Sequence, residues 1–579
     1  MKRYLFYLLV LMSPMLGYAE RPQILPSDVV FMYSADDPAQ YEAYQGTIVG
    51  WGGRARSLEE SGEGGFAARV KAAHDRGLKY CGSVDFLVDF SGFIDFAPDT
   101  FMTAVCRDLD DKPLFVPWLW DHVHKGHHAY WFCFNNPTYQ AYLRDQAKRV
   151  CVAPVDGLHI DDYGGTSNCS DYNRGCFCEY CMKGFRSYIQ DNYSAEWIQQ
   201  KGIADINQFD YKAFLVEEGV RASEFRTADR RIPLAREFQD YQNQQMKLRI
   251  REIYEFAEEM REKPLLRSVN SSASSVRTLL PSAIIDYFCG EIDHDAAGDK
   301  VSSAPVFVYR LVEAVGDRQT ATASGHDWAW IKANEKPGLV RTWIAQAYAF
   351  GSVFMVPHRQ WCYTQELGTH WYHGKVEDFA YLYGFVREKA ALLDGYAPLA
   401  QTAVLLTDAD FDAMKSAAQT LAARNVPFAL LYQAQAEDLP PTARDVYAQI
   451  LTSPAVRETL QEEQLVAWQG FDQLPDAMKE QIQVQGAEDI LVSIRQKAGD
   501  DAAPLVCHVL NQNYEVVADA VIEVTCTLSI QASLVKREIK TAAIHQPNQA
   551  VEVVPIHETN GCLSFEAKNL GLWAIVELN

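Results

Sequence analysis

Cys133, Cys176, Cys178 and Cys181 have the tightest spacing of reactive side chains in this 579-residue chain: the last three form a CxCxxC run, and the first stands 43 residues upstream in WFCFNNP. Four thiolates suit tetrahedral Zn²⁺, and two cysteines one residue apart pair poorly with each other yet can face one metal. A structural zinc on these four is the expectation, with two disulfides as the competing reading for a chain with an export-type N-terminus. VDGLHIDDYGG, just before the run, reads as a buried strand emerging into a loop, and MKGFRSYI after it reads as a helix, so a metal there would brace the loop. Side chains alternate along a strand, so Leu158, Ile160 and Asp162 share one side while His159 and Asp161 share the other. With the apolar pair packed on helices, His159 and Asp161 point inward and Asp161 reaches the rim. A second carboxylate, Glu291, is the first acid after the apolar run IIDYFCG. Two acids from separate strands are the raw material of acid/base and nucleophilic chemistry.

The elements that must position these groups alternate between strand and helix from about residue 28 to 395. Strands are expected at 29–33, 47–51, 78–86, 157–161, 265–270, 284–289, 320–324 and 353–357, and amphipathic helices at 66–76, 138–151, 241–261, 336–350 and 378–393. Eight such strands imply a (β/α)8 TIM barrel over residues 20–398, whose chemistry belongs at the carboxyl ends of the strands. Two connections, 87–136 and 162–240, are far longer than a barrel requires, and long ordered loops on one face shape sites. After the barrel, 399–498 reads as a small flavodoxin-like α/β domain and 499–579 as a β-sandwich.

The cysteine arrangement from Trp131 to Ile189 resembles that of the family 42 glycoside hydrolases, β-galactosidases whose barrel carries a four-cysteine zinc knuckle. That resemblance implies a carbohydrate substrate, structural zinc, no organic cofactor, and a trimerisation-like role for the second domain, hence a possible homo-oligomer. The chain departs from that family at both catalytic positions. Tyr163 stands where its acid/base glutamate would be, and the seventh strand, TATASGHDWAW, offers His326 and Asp327 but no glutamate. DGLHIDD, the knuckle and the following domain also look like the α-L-fucosidases of family 151, and an aspartate on strand four with an acid on strand six is similar to the layout of family 29. These likenesses imply a retaining, exo-acting glycosidase with Asp161 as nucleophile and Glu291 as acid/base, Asp327 being the next candidate acid.

Sugar binding needs flat apolar faces and forked polar groups. Candidates at expected strand ends are Trp51, Asp85, His159, Asp162, Arg267, Asn270, His326, Asp327, Trp328, His358 and Trp361, and the loop DHVHKGHHAYWFC adds His127 and His128. The histidines of that loop admit three readings: hydrogen bonds to sugar hydroxyls, ordinary solvation, or a second metal on His122 with His124 or His127. The last would make a histidine-centred metallohydrolase the rival, and a noncatalytic sugar-binding barrel is another.

A formal charge of −23 disfavours nucleic acid and heavily sulfated or carboxylated polymers at long range, though a local basic subsite could admit them. Residues 1–19 read as a secretory signal, with Lys2 and Arg3, the apolar YLFYLLVLM, and small residues before Glu20. No cysteine follows that site to anchor a lipid, and no later run is long and apolar enough to span a membrane, so the expected location is periplasmic or secreted.

Overall fold

Short runs of β-branched, aromatic and small residues make the strands of the first unit, and buried helices separate them. The computed structural model describes residues 21–579 except 57–64, 88, 299, 436–438, 440 and 536, so the expected secretory signal lies outside the described residues. The strands are β1 (Val30–Phe31), β2 (Ile48–Val49), β3 (Lys79–Asp85), β4 (Gly157–Asp161), β5 (Leu266–Val269), β6 (Tyr287–Ile292), β7 (Gln319–Ala323) and β8 (Val353–Phe354). They are hydrogen-bonded in sequence order, each parallel to the next. A parallel bridge from Phe31 to Val356 brings the last strand back to the first, giving a nearly closed (β/α)8 barrel.

The helices that matter for the site are α1 (Phe66–His74), α2 (Pro137–Cys151), α3 (Gly165–Asn173), α4 (Glu179–Asn192), α5 (Ala235–Arg261), α6 (Pro305–Ala314), α7 (Gly325–Asn334), α8 (Pro337–Ala349) and α9 (Val376–Glu388). Proline at the first helical position and an Asn136 side chain accepting from the Thr138 and Tyr139 amides start α2. In α5, Phe238, Tyr241, Gln242, Met246, Arg249, Ile250, Ile253, Tyr254 and Ala257 are buried at three- and four-residue steps. Each large apolar side chain so buried contributes about 1.5–3 kcal/mol.

Of the eight expected strands only 157–161 keeps both its limits, and two of the shifts have identifiable local causes. The sixth strand begins at Tyr287 rather than Ile284, because the Ile284 and Ile285 amides turn back onto the Pro281 carbonyl. The seventh ends at Ala323, because Ser324 caps α7 and the HDWAW segment is helical.

Beyond the barrel, β9 (Gln360–Thr364) and β10 (Gly368–Tyr372) form an antiparallel hairpin. The second unit is a four-stranded parallel sheet of β11 (Thr402–Leu406), β12 (Phe428–Tyr432), β13 (Gln449–Thr452) and β14 (Leu465–Ala467). Its order, β12-β11-β13-β14, is the flavodoxin-like one. A six-stranded and a four-stranded antiparallel sheet follow. Strand Ile490–Lys497, assigned by sequence to the α/β unit, pairs with Leu505–Asn511 and belongs to the larger of these sheets.

Candidate active site

The site is built on the carboxyl end of β4. Asp161, its last residue, stands in register with Asp85 of β3, and Asn270, just past β5, is locked beside it by its own amide donating to the Ile160 carbonyl. The Asn270 side-chain amide donates to Asp161 Oδ1 at 2.9 Å, and the Asp162 backbone N–H donates to the same oxygen at 2.8 Å. Gly290 on β6 is what lets Asn270 sit there: a Cβ at 290 would lie 2.7 Å from the Ser271 nitrogen and 2.8 Å from Asn270 Oδ1.

Strict alternation assigns Asp162 to the helical side of β4. The structure corrects this: φ of +46° at Asp162 ends the strand and breaks the alternation, and Asp162 lines the same cavity as Asp161. The turn continues into Gly165, where a Cβ would lie 1.8 Å from the Phe134 ring, so the DYGG turn closes onto the segment that carries Cys133.

The cavity measures about 390 Å³ and is lined by Tyr33, Trp51, Trp118, Leu119, His122, Asp161, Asp162, Asn270, Glu291, Trp361, Thr369 and Trp371. Asp161 and Glu291, two strands apart, thus meet at one opening, with Trp51, Asp162, Asn270 and Trp361 around them. Tyr33, Trp118 and Trp371 were missed. Tyr33 ends the expected first strand, the same signal that singled out Trp51, while Trp118 and Trp371 come from segments with no periodicity. The hairpin pairs Trp361 directly with Trp371, and the Arg359 guanidinium lies 4.3 Å from the Trp371 ring centre. Across the mouth, a Cβ on Gly368 would come within 2.3 Å of Asp121, so the hairpin and the 87–136 loop close against each other there.

Other expected site residues are placed elsewhere. Arg267 faces the outer shell, ion-paired to Glu258 at 2.6 Å and lying over the Tyr254 ring. Asp327 is the capping-box acid of α7, accepts from the His294 and Ala296 amides and does not line the cavity. Trp328 is buried, donating to Thr322 Oγ1 and stacking on Tyr372. His326 is exposed against Tyr363. His127 and His128 form a small hairpin with Val123 and His124, where their rings meet Phe101 and Phe115. His358 packs on Phe31 and is held neutral by burial, its pKa pushed down to about 4.

His159 lies below the cavity, its ring 4.3 Å from that of Trp51 and its Nδ1 2.9 Å from Ser268 Oγ. Burial pushes its pKa down to about 3, so it is a neutral support for Trp51 rather than a proton carrier. Tyr163, which occupies the family 42 acid/base position, is buried with its hydroxyl 3.2 Å from Ser271 Oγ and does not line the cavity.

Carboxylate oxygens of Asp85, Asp161 and Asp162 lie within 4.8 Å of one another, too close for all three to ionise together. Burial first, then Asp85 and Glu291, raise the Asp161 carboxyl well above the usual range, and burial with Asp161, Asp85 and Glu291 does the same to Asp162. Asp161 receives two N–H donors, whereas every influence on Asp162 favours the proton, so between these two the charge settles on Asp161. Glu291 is raised to about 7, chiefly by burial. An Asn270→Ala variant removes one donor from the Asp161 carboxylate. The acid limb of its pH–rate profile should move up by about one unit, and an unmoved limb would show that Asn270 does not tune Asp161.

The four cysteines also converge. Their sulfurs lie within 4.8 Å of one another, with Cys133 3.4 Å from Cys181 and 3.5 Å from Cys178. Tetrahedral zinc with bonds of about 2.3 Å sets sulfurs about 3.8 Å apart, so the set fits such an ion. Asn135 Nδ2 at 3.3 Å and Gln242 Nε2 at 3.4 Å donate to Cys181 Sγ, as expected around a metal-bound thiolate. All thirteen cysteines are free of disulfides, and among the described residues no histidine joins a group with metal-ligand spacing. His124 instead meets Asp95 at 2.7 Å and His122 meets Asp121 at 2.9 Å.

No family model matches the chain. It is similar to an α-agarase of Alteromonas agarilytica, 23% identical over 538 residues that cover 87% of this chain and 37% of that protein. It is equally similar to an α-agarase of Thalassotalea agarivorans, 23% identical over 545 residues, 88% of this chain and 37% of the relative. The chain thus spans little more than a third of their length. Its fold is similar to that of α-L-fucosidase isoenzyme 2 from Paenibacillus thiaminolyticus, with a TM-score of 0.59 at 12% identity, covering 96% of this chain and all of that one. The sequence likeness is thus to α-agarases, and the fold is shared with an α-L-fucosidase.

Proposed function

We propose that the protein is an exported, retaining glycoside hydrolase that cleaves an α-glycosidic bond in an agar-type galactan. The observation that carries the reading is the meeting of Asp161 and Glu291 in one tryptophan-lined cavity at the carboxyl end of the barrel. Similarity to α-agarases supplies the polymer class, and a surface of −23 suits a largely neutral galactan.

In the first step Asp161 attacks the anomeric carbon while Glu291 protonates the departing oxygen, breaking the C–O bond and leaving a glycosyl ester. In the second, Glu291 takes a proton from water, the water oxygen attacks the same carbon, and Asp161 is released with overall retention. The two backbones are two strand spacings apart, about 10 Å, and both side chains converge on the cavity. Double displacement requires the two carboxyls to stand about 5 Å apart, and inversion about 6.5–9.5 Å. Burial supports the roles, because a glutamic acid with pKa about 7 remains a proton donor at neutral pH. Zinc on the four cysteines would brace the loops after β3 and β4 and take no part in bond cleavage.

An α-L-fucosidase is the second reading, supported by the DGLHIDD likeness and the fold neighbour. Fucose and the anhydrosugar of agarose share the L-galacto configuration, so aryl α-L-fucosides serve as small probes of both. Without Glu291 an acid is missing for poor leaving groups only. Glu291→Ala should therefore lose about 10³-fold on agaro-oligosaccharides, much less on a dinitrophenyl glycoside, and the alkaline limb near pH 7 should vanish. Equal losses on both substrates, or a persisting limb, would remove Glu291 from the acid role.

A further inference from the structure

On the outer face of the barrel, away from the carboxylates, α4 and α5 border an open groove of about 780 Å³. It shares no lining residue with the cavity. The two helices approach closely because residue 184 is glycine; a Cβ there would lie 2.0 Å from the Tyr241 hydroxyl. Lys183, Lys247 and Arg251 line the groove, and none of them forms an ion pair among the described residues. Asp191 is the one acid in the lining; from the side Asp240 offsets part of the Lys247 charge, and Asp240 and Glu237 stand near Tyr188. Three cations against one acid among the lining residues, on a chain of −23, need an explanation other than solubility.

The rest of the lining supplies one. Tyr188 is held by Phe185 at 6.2 Å, Tyr241 at 5.8 Å and Tyr193 at 6.2 Å between ring centres, so it offers an aromatic surface already fixed in place. A ring ordered in advance stacks on the C–H face of a sugar at little entropic cost, and Gln244 beside it can fork to hydroxyls. Ammonium and guanidinium groups pair with sulfate or carboxylate.

We propose that this groove is a second glycan-binding site, for anionic segments of a polysaccharide, and that it holds the enzyme on chains whose charge the rest of its surface repels. The site does not depend on the roles of Asp161 and Glu291. Affinity electrophoresis of the full chain in gels containing a sulfated galactan, a uronic acid polymer or neutral agarose tests it. The protein should be retarded by at least one charged polymer, and the arms identify sulfate or carboxylate as the anion. Lys247→Gln/Arg251→Gln, two changes on side chains with no ion pair, should raise the apparent Kd for that polymer at least about tenfold and leave turnover of an aryl glycoside unchanged. Tyr188→Ala should weaken the same binding. No retardation by either charged polymer, or retardation unaltered in the double variant, overturns the proposal. Loss in the double variant with full binding by Tyr188→Ala also overturns it, since simple counterion attraction would then suffice.

Discussion

Asp161→Asn is expected to lower kcat by about 10⁴-fold or more while leaving KM within a few-fold. The substitution is nearly isosteric, and its carbonyl oxygen can still accept from the Asn270 side chain and the Asp162 amide, so the site keeps its shape and loses only the nucleophile. Charge relief should also favour folding, because three carboxyls within 4.8 Å become two. A fall in rate with unchanged or higher thermal stability therefore separates chemistry from collapse. Asp161→Ala opens space for azide, and in a double displacement the rescued product is the glycosyl azide of inverted configuration. The same reagent acting on Glu291→Ala gives the retained azide, because Asp161 still forms the ester and azide replaces water. Activity of Asp161→Asn within tenfold of the parent would end the scheme, and an inverted first-formed sugar from the parent enzyme would replace it with a single displacement.

The barrel was legible because a parallel strand buried on both faces leaves a clear apolar run bounded by polar turns. The Gly157–Asp161 run did this so cleanly that its limits agree with the structure. What alternation cannot supply is the conformation of the residue that ends the strand. Asp162 enters the cavity through a left-handed backbone, an outcome of the tight DYGG turn packing on Phe134 rather than of any period. HDWAW misled for the opposite reason. His326, Asp327 and Trp328 follow an expected strand end, yet Ser324 and Asp327 form a capping box that opens a helix there, and local hydrogen bonding decides where the three side chains go. Trp118 and Trp371 line the cavity only because two segments distant in sequence fold toward each other, and such long-range closure leaves no trace in local spacing.

That closure is what makes the cysteine cluster the second large lever. Cys133 ends the loop after β3, the segment that carries Trp118 and His122, and Cys176, Cys178 and Cys181 sit in the segment after β4 that begins with Asp162. Hydrogen bonds already run between the two: the Phe177 amide donates to the Arg107 carbonyl, and the Phe134 amide to Thr166 Oγ1. A zinc ion on four thiolates would add a bond network that zinc-finger peptides show to be worth on the order of 10 kcal/mol or more. Purified protein is expected to carry one zinc per chain, and Cys176→Ser/Cys178→Ser should carry almost none. The loops would then lose their shared anchor while the barrel strands, which carry none of these four cysteines, keep their pairing. The variant should retain its far-UV circular dichroism, unfold at lower temperature, and fall about 10–100-fold in kcat/KM because Trp118 no longer frames the cavity. Cadmium, which also favours thiolates, should restore stability and rate together with kcat close to that of the zinc protein. A strong dependence of kcat on which metal is bound would instead place the ion in the chemistry. Zinc-free, fully active protein with the four thiols titrating as free would show that packing alone holds the loops.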